Sequence, residues 1–514
     1  MNNAFGFFAT KNIRLCAVAL TVAIAVSMTG CPNDTTSTGG GTFVPVTDIT
    51  GVPTQATAGT PLTLTGTVVP SGATNRAIVW SVYDAGTTGA TIDGNTLNTT
   101  ATGTATVRAT IVNGASATAD FIRDFVVTVS PAGFTLVPGD NLADRLEWLR
   151  GNAQDGNSYL VEITDDEYVA PDQTALPTDR SGIVIVLRGR DETLTVSLSA
   201  NGSLFTVGSG ITLVLDDNVT LLGRDANNNS LVQVANGGTL IMEEGSTVTG
   251  NTNTANAVDV GGGGVRIDAG GRFYMKGGEI TGNKGIGTGS AGGVRVGVGS
   301  ATFIMKGGKI AHNEVFNSGH GVGGVMILGN GATFVMKDGE ITDNTASGSW
   351  STGGVHVLLG RFYMEGGKIA RNEAGGSQQH GGGVRVQGTF TMRGGEIFYN
   401  RTSGGQLNGG GVIVVGEETT FIMQGGRIFG NEDTGHDRTG GVFVIDNGTF
   451  QISNGIIYGV DAEDGRGNIG RTLNSTWGGG TLEHGTFNDD DEFAYLGTLD
   501  TTNYTIHVVN GELQ

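Results

Sequence analysis

Apolar residues recur along this chain at two superposed spacings, one of two residues and one of about thirty, the second in the range of repeat architectures. Met242, Met275, Met305, Met336, Met364, Met392, Met423 and finally Ile452 stand at intervals of 33, 30, 31, 28, 28, 31 and 29. Two positions before them come Leu240, Phe273, Phe303, Phe334, Phe362, Phe390, Phe421 and Phe450. Five positions after Met275 and its successors come Ile280, Ile310, Ile341, Ile369, Ile397, Ile428 and Ile457. Upstream, each repeat carries a Val-x-Val or Val-x-Ile pair, from Val265/Ile267 to Val442/Val444. A spacing of two places residues on one face of a strand. Each repeat is therefore expected to hold three short strands with inward apolar side chains. Paired glycines such as Gly277-Gly278, Gly307-Gly308 and Gly366-Gly367 mark a corner where a positive φ is expected. Three short strands without a long helix make one coil of a parallel β-helix. A propeller blade needs four longer strands in about 40 residues, which excludes that alternative.

Stacked coils lie about 4.8 Å apart, so every column of equivalent residues becomes a ladder. The Phe and Met columns are expected inside. Asn283, Asn313, Asn344, Asn372, Asn400 and Asn431 form a corner column whose amides can bond one another and the turn backbone. The column before the Ile reads Glu279, Lys309, Glu340, Lys368, Glu396, Arg427. Its alternating signs penalise a slip of one coil, and its charges are read as structural.

Upstream of the repeats, strands are expected at Tyr159–Ile163, Gly182–Leu187, Thr193–Leu198, Leu204–Val207 and Ile211–Leu215. A helix within 131–153 is indicated by Asn141 as N-cap and by Leu142, Leu146, Leu149 and Trp148 at helical spacing. It reads as a plug over the first coil. From 43 to 130 the chain shows short alternating strands with turn signals between them, among them Ile78–Val82, Thr104–Ile111 and Phe125–Val129.

Composition narrows the picture. There are 91 glycines but 9 prolines and no Gly-X-Y period, which excludes collagen and fits many tight turns. Lys11 and Arg14 precede an apolar run from Leu15 to Met28, too short for a comfortable span but suited to a signal peptide over residues 1–30. Without that segment 27 basic residues face 49 acidic ones, a formal charge of −22. Such a field repels nucleic acid and anionic membrane surfaces as partners. The two cysteines, Cys16 and Cys31, both lie in the export region, so the body can hold neither a disulfide framework nor a cysteine zinc site.

Three stretches resemble known families. Ser27-Met28-Thr29-Gly30-Cys31 resembles a lipobox, with Met28 where Leu is usual. The resemblance implies lipidation at Cys31 followed by a flexible tether over 31–42. The Ala58-Gly59 opening, Trp80-Ser81-Val82, the Gly94-Asn95 turn and the Thr-rich strand from Thr104 resemble a bacterial Ig-like domain of group 2 type over 43–130. Glycine-rich coils with Asn corners resemble the right-handed parallel β-helices of the pectin-lyase-like superfamily. Leu146-Glu147-Trp148-Leu149, Ser203–Val207, Thr212–Asp216 and the Gly-Gly-Val…Phe-x-Met repeats resemble the repeat lipoproteins of host-associated spirochaetes. Together these imply a mainly β protein, an Ig-like sandwich followed over 131–485 by a right-handed β-helix of roughly ten coils with an N-terminal capping helix. A C-terminal cap is expected over 486–514. They also imply export, with the lipid holding the chain to the outer membrane or cell surface.

Catalytic signals are sparse. A glycosidase needs two carboxylates within about 10 Å, whereas acids in the repeats stand mostly one per coil. Asp489-Asp490-Asp491-Glu492 reads as a solvated loop. No cofactor or metal is expected: the histidines lack ligand spacing, and His320, His380 and His436 fall in loops of non-neighbouring coils. Gly307-Gly308-Lys309-Ile310 lacks the Ser or Thr of a phosphate loop. Between each corner Asn and the next Gly-Val stands a loop, Lys284–Ala291, Glu314–Val322, Thr345–Thr352, Glu373–His380, Arg401–Asn408 and Glu432–Thr439. Phe316 and Trp350, with His320 and His380 near them, are the candidate partner-binding residues, or else fold back to cover the helix. The expectation is a non-enzymatic surface protein that binds a host glycan or matrix protein. A spacer, or a polysaccharide lyase or hydrolase, is the alternative.

Overall fold

The computed structural model describes residues 43–130, 132–255, 261–316, 319–435, 439–459, 462, 466–469, 472–477, 481–487, 493–498, 506–510 and 512–513. Cys31, the signal segment, His436 and Asp489–Glu492 lie outside them. The chain divides into two compact units, one holding residues up to Thr50, Gly66–Ile78 and Thr110–Arg123, the other Gly51–Thr65, Val79–Ala109 and Asp124–Gln514. In the first, strand Asp48–Thr50 pairs antiparallel with Thr67–Val69. In the second, Thr91–Asp93 and Thr96–Asn98 form a hairpin around Gly94, whose φ is +62°. Trp80 is buried there against Phe125, ring centroids 6.3 Å apart.

The helix runs Leu142–Asn152, and the Asn141 side chain accepts from the Asp144 N–H at 2.9 Å as an N-cap does. Its buried Leu142, Leu146 and Leu149 share one continuous core with Tyr159, Val161 and Ile163 of the strand that follows. Among the described residues no helix is long and apolar enough to cross a membrane.

From Ser158 onward the chain is a β-solenoid. Among the described residues a sheet of 33 strands winds through it, and up to Ile457 each strand pairs in parallel with its equivalent one coil later. The register is continuous: Phe273 faces Phe303, then Phe334, Phe362, Phe390, Phe421 and Phe450. These seven rings stack with centroids 4.6–4.8 Å apart, and all are fully buried. That spacing is the strand separation itself, so backbone pairing sets the aromatic column. The Met, Ile and Val columns are buried in the same core.

At the glycine corner, the residue after Gly307, Asp338 or Gly366 carries the left-handed backbone: φ is +80° at Gly308, +96° at Gly339 and +82° at Gly367. Packing excludes a side chain there as well. A Cβ on Gly339 would stand 2.6 Å from the Met305 Cε and 2.8 Å from the Gly308 carbonyl oxygen.

The expectation of three strands per coil is corrected to four. Directly after each corner Asn runs a further short strand, Lys284–Ile286, Glu314–Phe316, Thr345–Ser347, Glu373–Gly376 and Arg401–Gly404 among them, in a separate seven-stranded parallel ladder. These segments are polar and glycine-rich, so side-chain alternation does not announce them. Backbone pairing between coils forms them instead. After Ile457 the pattern changes: Thr481–Phe487 pairs antiparallel with Phe493–Thr498, and Ile506–Val509 pairs antiparallel with Gly455–Ile457.

Candidate functional site

The strands that carry the Phe and Met columns inward also carry a row outward. Leu160, Val186, Val214 and Ile241 are in register on four successive strands and point away from the core. Together with Phe134 and Val184 they floor a groove of about 690 Å³. Its charged lining comes from one turn, repeated coil after coil: Asp216-Asp217, then Glu243-Glu244, then Lys276, with Arg188 beside them. The Lys276 ammonium is tied to Glu243 at 2.6 Å, and the Arg188 guanidinium to Glu162 at 2.8 Å. Both cations are thus compensated, whereas Asp216, Asp217 and Glu244 bring further negative charge to the groove. A few hundred cubic ångströms of apolar floor with convergent polar groups has the anatomy of a ligand site.

The sequence reading missed this groove, although a signal was present. Thr-Leu-Ile-Met at 239–242 and Ile-Thr-Leu-Val-Leu at 211–215 set apolar residues on both faces of a strand, where a sheet with one wet face alternates. Acids stand mostly one per coil in the repeats, but here two acidic pairs stack in adjacent coils. Among the described residues no group of three or more His, Cys, Asp or Glu is arranged to hold a metal ion.

The described parts of these loops fold back over the sheet, one of the two readings that the sequence left open for Phe316 and Trp350. In each Val-x-Val strand the middle residue points outward, giving the column Arg266, Arg295, Met326, His356, Arg385, Ile413 and Phe443. Every member is buried. The loops cover them. Successive loops bridge to one another at Ala291, Val322, Thr352, Gly381, Gly409 and Thr439. Two residues before those bridges stand Gly289, His320, Trp350, Gln379 and Leu407, one per coil, all with positive φ. Four of the five are not glycine, and a left-handed backbone costs such residues energy.

This lid column reaches the covered column directly. The His320 and Trp350 rings stack at 5.0 Å and 10°. His320 also lies 6.4 Å from His356, centroid to centroid. The His356 Nε2 is 3.0 Å from the Gln387 Oε1. Arg385 donates to the Gln379 carbonyl and side chain and to Gln387, and Leu407 packs on the Ile413–Phe443 cluster. One position nearer the bridge, the Ser351 hydroxyl is 3.0 Å from the His380 Nδ1, and both residues are fully buried. Burial, reinforced by the Arg385 charge, holds the His320 and His356 pKa below the usual imidazole range; His380, for the same first reason, is pushed down to about 4. Burial also lowers the Arg385 guanidinium to about 9, with Asp446 acting the other way.

The four candidate residues are therefore placed as follows. His320 and Trp350 stack on each other as lid residues, and His380, the last residue of the following loop, is buried against Ser351. Phe316 belongs instead to the fourth strand of its coil, half-buried and in register with Ile286, with the Lys284 ammonium 5.5 Å over its ring. His320 and His380 do sit in non-neighbouring coils, yet His356 and Arg385 link their surroundings. Neither linking residue was singled out from the sequence, because the middle of a Val-x-Val strand reads as solvent-facing.

The chain matches no protein-family model, and no curated protein is similar to it in sequence.

Proposed function

We propose that the protein is an exported lipoprotein, held to the cell envelope through Cys31, whose solenoid serves as a rigid scaffold for binding a host glycan or matrix protein. The observation that supports a binding role is the groove over Leu160, Val186, Val214 and Ile241, an apolar floor with charged groups gathered from neighbouring coils. The segment before it is read as an Ig-like spacer that sets the solenoid away from the membrane, and the helix Leu142–Asn152 as the plug of its first coil. Arrays of glycans and matrix proteins probed with residues 32–514 test the reading. Binding that Ile241→Asp reduces tenfold or more, with the melting profile kept, supports it. Binding unaffected by Ile241→Asp but lost on Trp350→Ala combined with Phe316→Ala moves the site to the loop face. Absence of any binder leaves the spacer reading in its place.

A second reading has its own observation. The stacked Asp216-Asp217 and Glu243-Glu244 pairs put clustered carboxylates on one outer face, as a glycoside-cleaving enzyme requires. Release of reducing ends or unsaturated products from polysaccharides, abolished by Asp217→Asn with Glu244→Gln, would favour it over simple binding.

A further inference from the structure

The lid column is closed over a cluster of basic side chains. His356 and Arg385 lie beneath it, fully buried on adjacent strands in register. His320 and Gln379 lie in it, and His380 is buried one residue before the following bridge. Among the described residues the Nδ1 atoms of His320 and His356 are buried without a hydrogen-bond partner. The charge acting on all three imidazoles is the Arg385 guanidinium, and His320 acts in addition on His356. The carboxylate that reaches this cluster is Asp446, and it acts on Arg385. The next acid along the loops, Asp433, is engaged by Thr402, Gly435, Thr439 and Asn408, while Asn408 accepts from the His380 backbone N–H. On either side along the covered column the neighbours are apolar, Met326 before and Ile413 after.

We propose that this lid is an acid-released latch: protons taken up by His320, His356 and His380 lift the loops around Trp350 and Gln379 and expose the column beneath, while the solenoid core stays folded. A proton arriving on the buried His356 meets Arg385 and the His320 imidazole, one on the buried His380 or the half-buried His320 meets Arg385, and the neutral amides of Gln379 and Gln387 supply no countercharge. Opening hydrates the buried His356 and His380 rings and completes the exposure of His320. It also frees Trp350 and Gln379 from their left-handed backbones, so strain and charge act in the same direction. The Phe, Met and Ile columns carry no titratable group and have no reason to respond.

The direction follows from linkage. Imidazoles whose pKa is lowered in the closed state leave the lid undisturbed above about pH 6.5 and destabilise it progressively as the pH falls toward 4. Arg385 keeps its charge throughout that range. The inference is independent of what the groove binds.

Hydrogen exchange of residues 32–514, compared as protection factors at pH 7 and pH 4.5, tests the latch. Protection in 345–352 and 376–381 is expected to fall by at least about tenfold, with strands such as Thr389–Met392 unchanged. In the triple variant His320→Asn, His356→Gln, His380→Asn the fall should vanish. If that variant does not fold, His356→Gln alone carries the test and should lessen the fall. Protection independent of pH in the native chain overturns the latch. So does an equal fall in the folded variant, or loops and core strands losing protection together.

Discussion

Asn344 donates both its backbone N–H and its side-chain Nδ2 to a single oxygen, the Oδ1 of Asn372, at 3.1 and 2.9 Å. Its Nδ2 also reaches back to the Ile310 carbonyl at 2.9 Å. The same double donation links Asn283 to Asn313, Asn313 to Asn344, Asn372 to Asn400, Asn400 to Asn431 and Asn431 to Asn468. Fully buried amides thereby become a continuous ladder. Aspartate at these positions could not donate, and serine could not span the gap.

Replacing one rung should show how much the ladder holds. In Asn344→Ala the backbone N–H and Nδ2 of Asn313 lose their shared acceptor inside the protein. A cost of about 3 kcal/mol is expected, measured by chemical denaturation, with proteolysis beginning near residues 313–345. Unchanged stability would mean that water reaches the corner.

Phe334 sits between Phe303 and Phe362 at 4.6 and 4.8 Å. Phe334→Ala should destabilise the solenoid by about 3–5 kcal/mol through the cavity it leaves. Repeat arrays unfold locally, so the loss is expected as a partial transition ahead of the main one. Calorimetry with limited proteolysis separates the two.

Gly339 tests the corner. Its φ of +96° and the 2.6 Å approach of Met305 Cε act together, so Gly339→Ala should cost about 2 kcal/mol, more than a backbone penalty alone. In a double-mutant cycle with Met305→Ala, a total loss smaller than the sum of the two single losses shows the clash, and additive losses show that only φ matters.

The interior was legible because inward columns obey one rule, apolar at spacing two and repeated each coil. Phe334, Met336 and Ile341 were all placed by it. Asn344 was legible too, since a polar residue at a fixed place in every coil needs a structural reason. Asn468 was missed because it follows its predecessor by 37 residues, breaking the period. His356 and Arg385 were not legible. Their burial depends on a loop folding back over an outward face, and nothing in Val-His-Val or Val-Arg-Val reports that. Ile241 was visible as an apolar residue on the wrong face, but the pattern was read for what it placed inside.

We propose that the solenoid is displayed from a lipid on Cys31. Metabolic labelling with palmitate, followed by detergent-phase partitioning, addresses it directly. The native chain should carry label and enter the detergent phase, and Cys31→Ala should be unlabelled and remain aqueous. Label persisting in Cys31→Ala, or absent from the native chain, would contradict the claim.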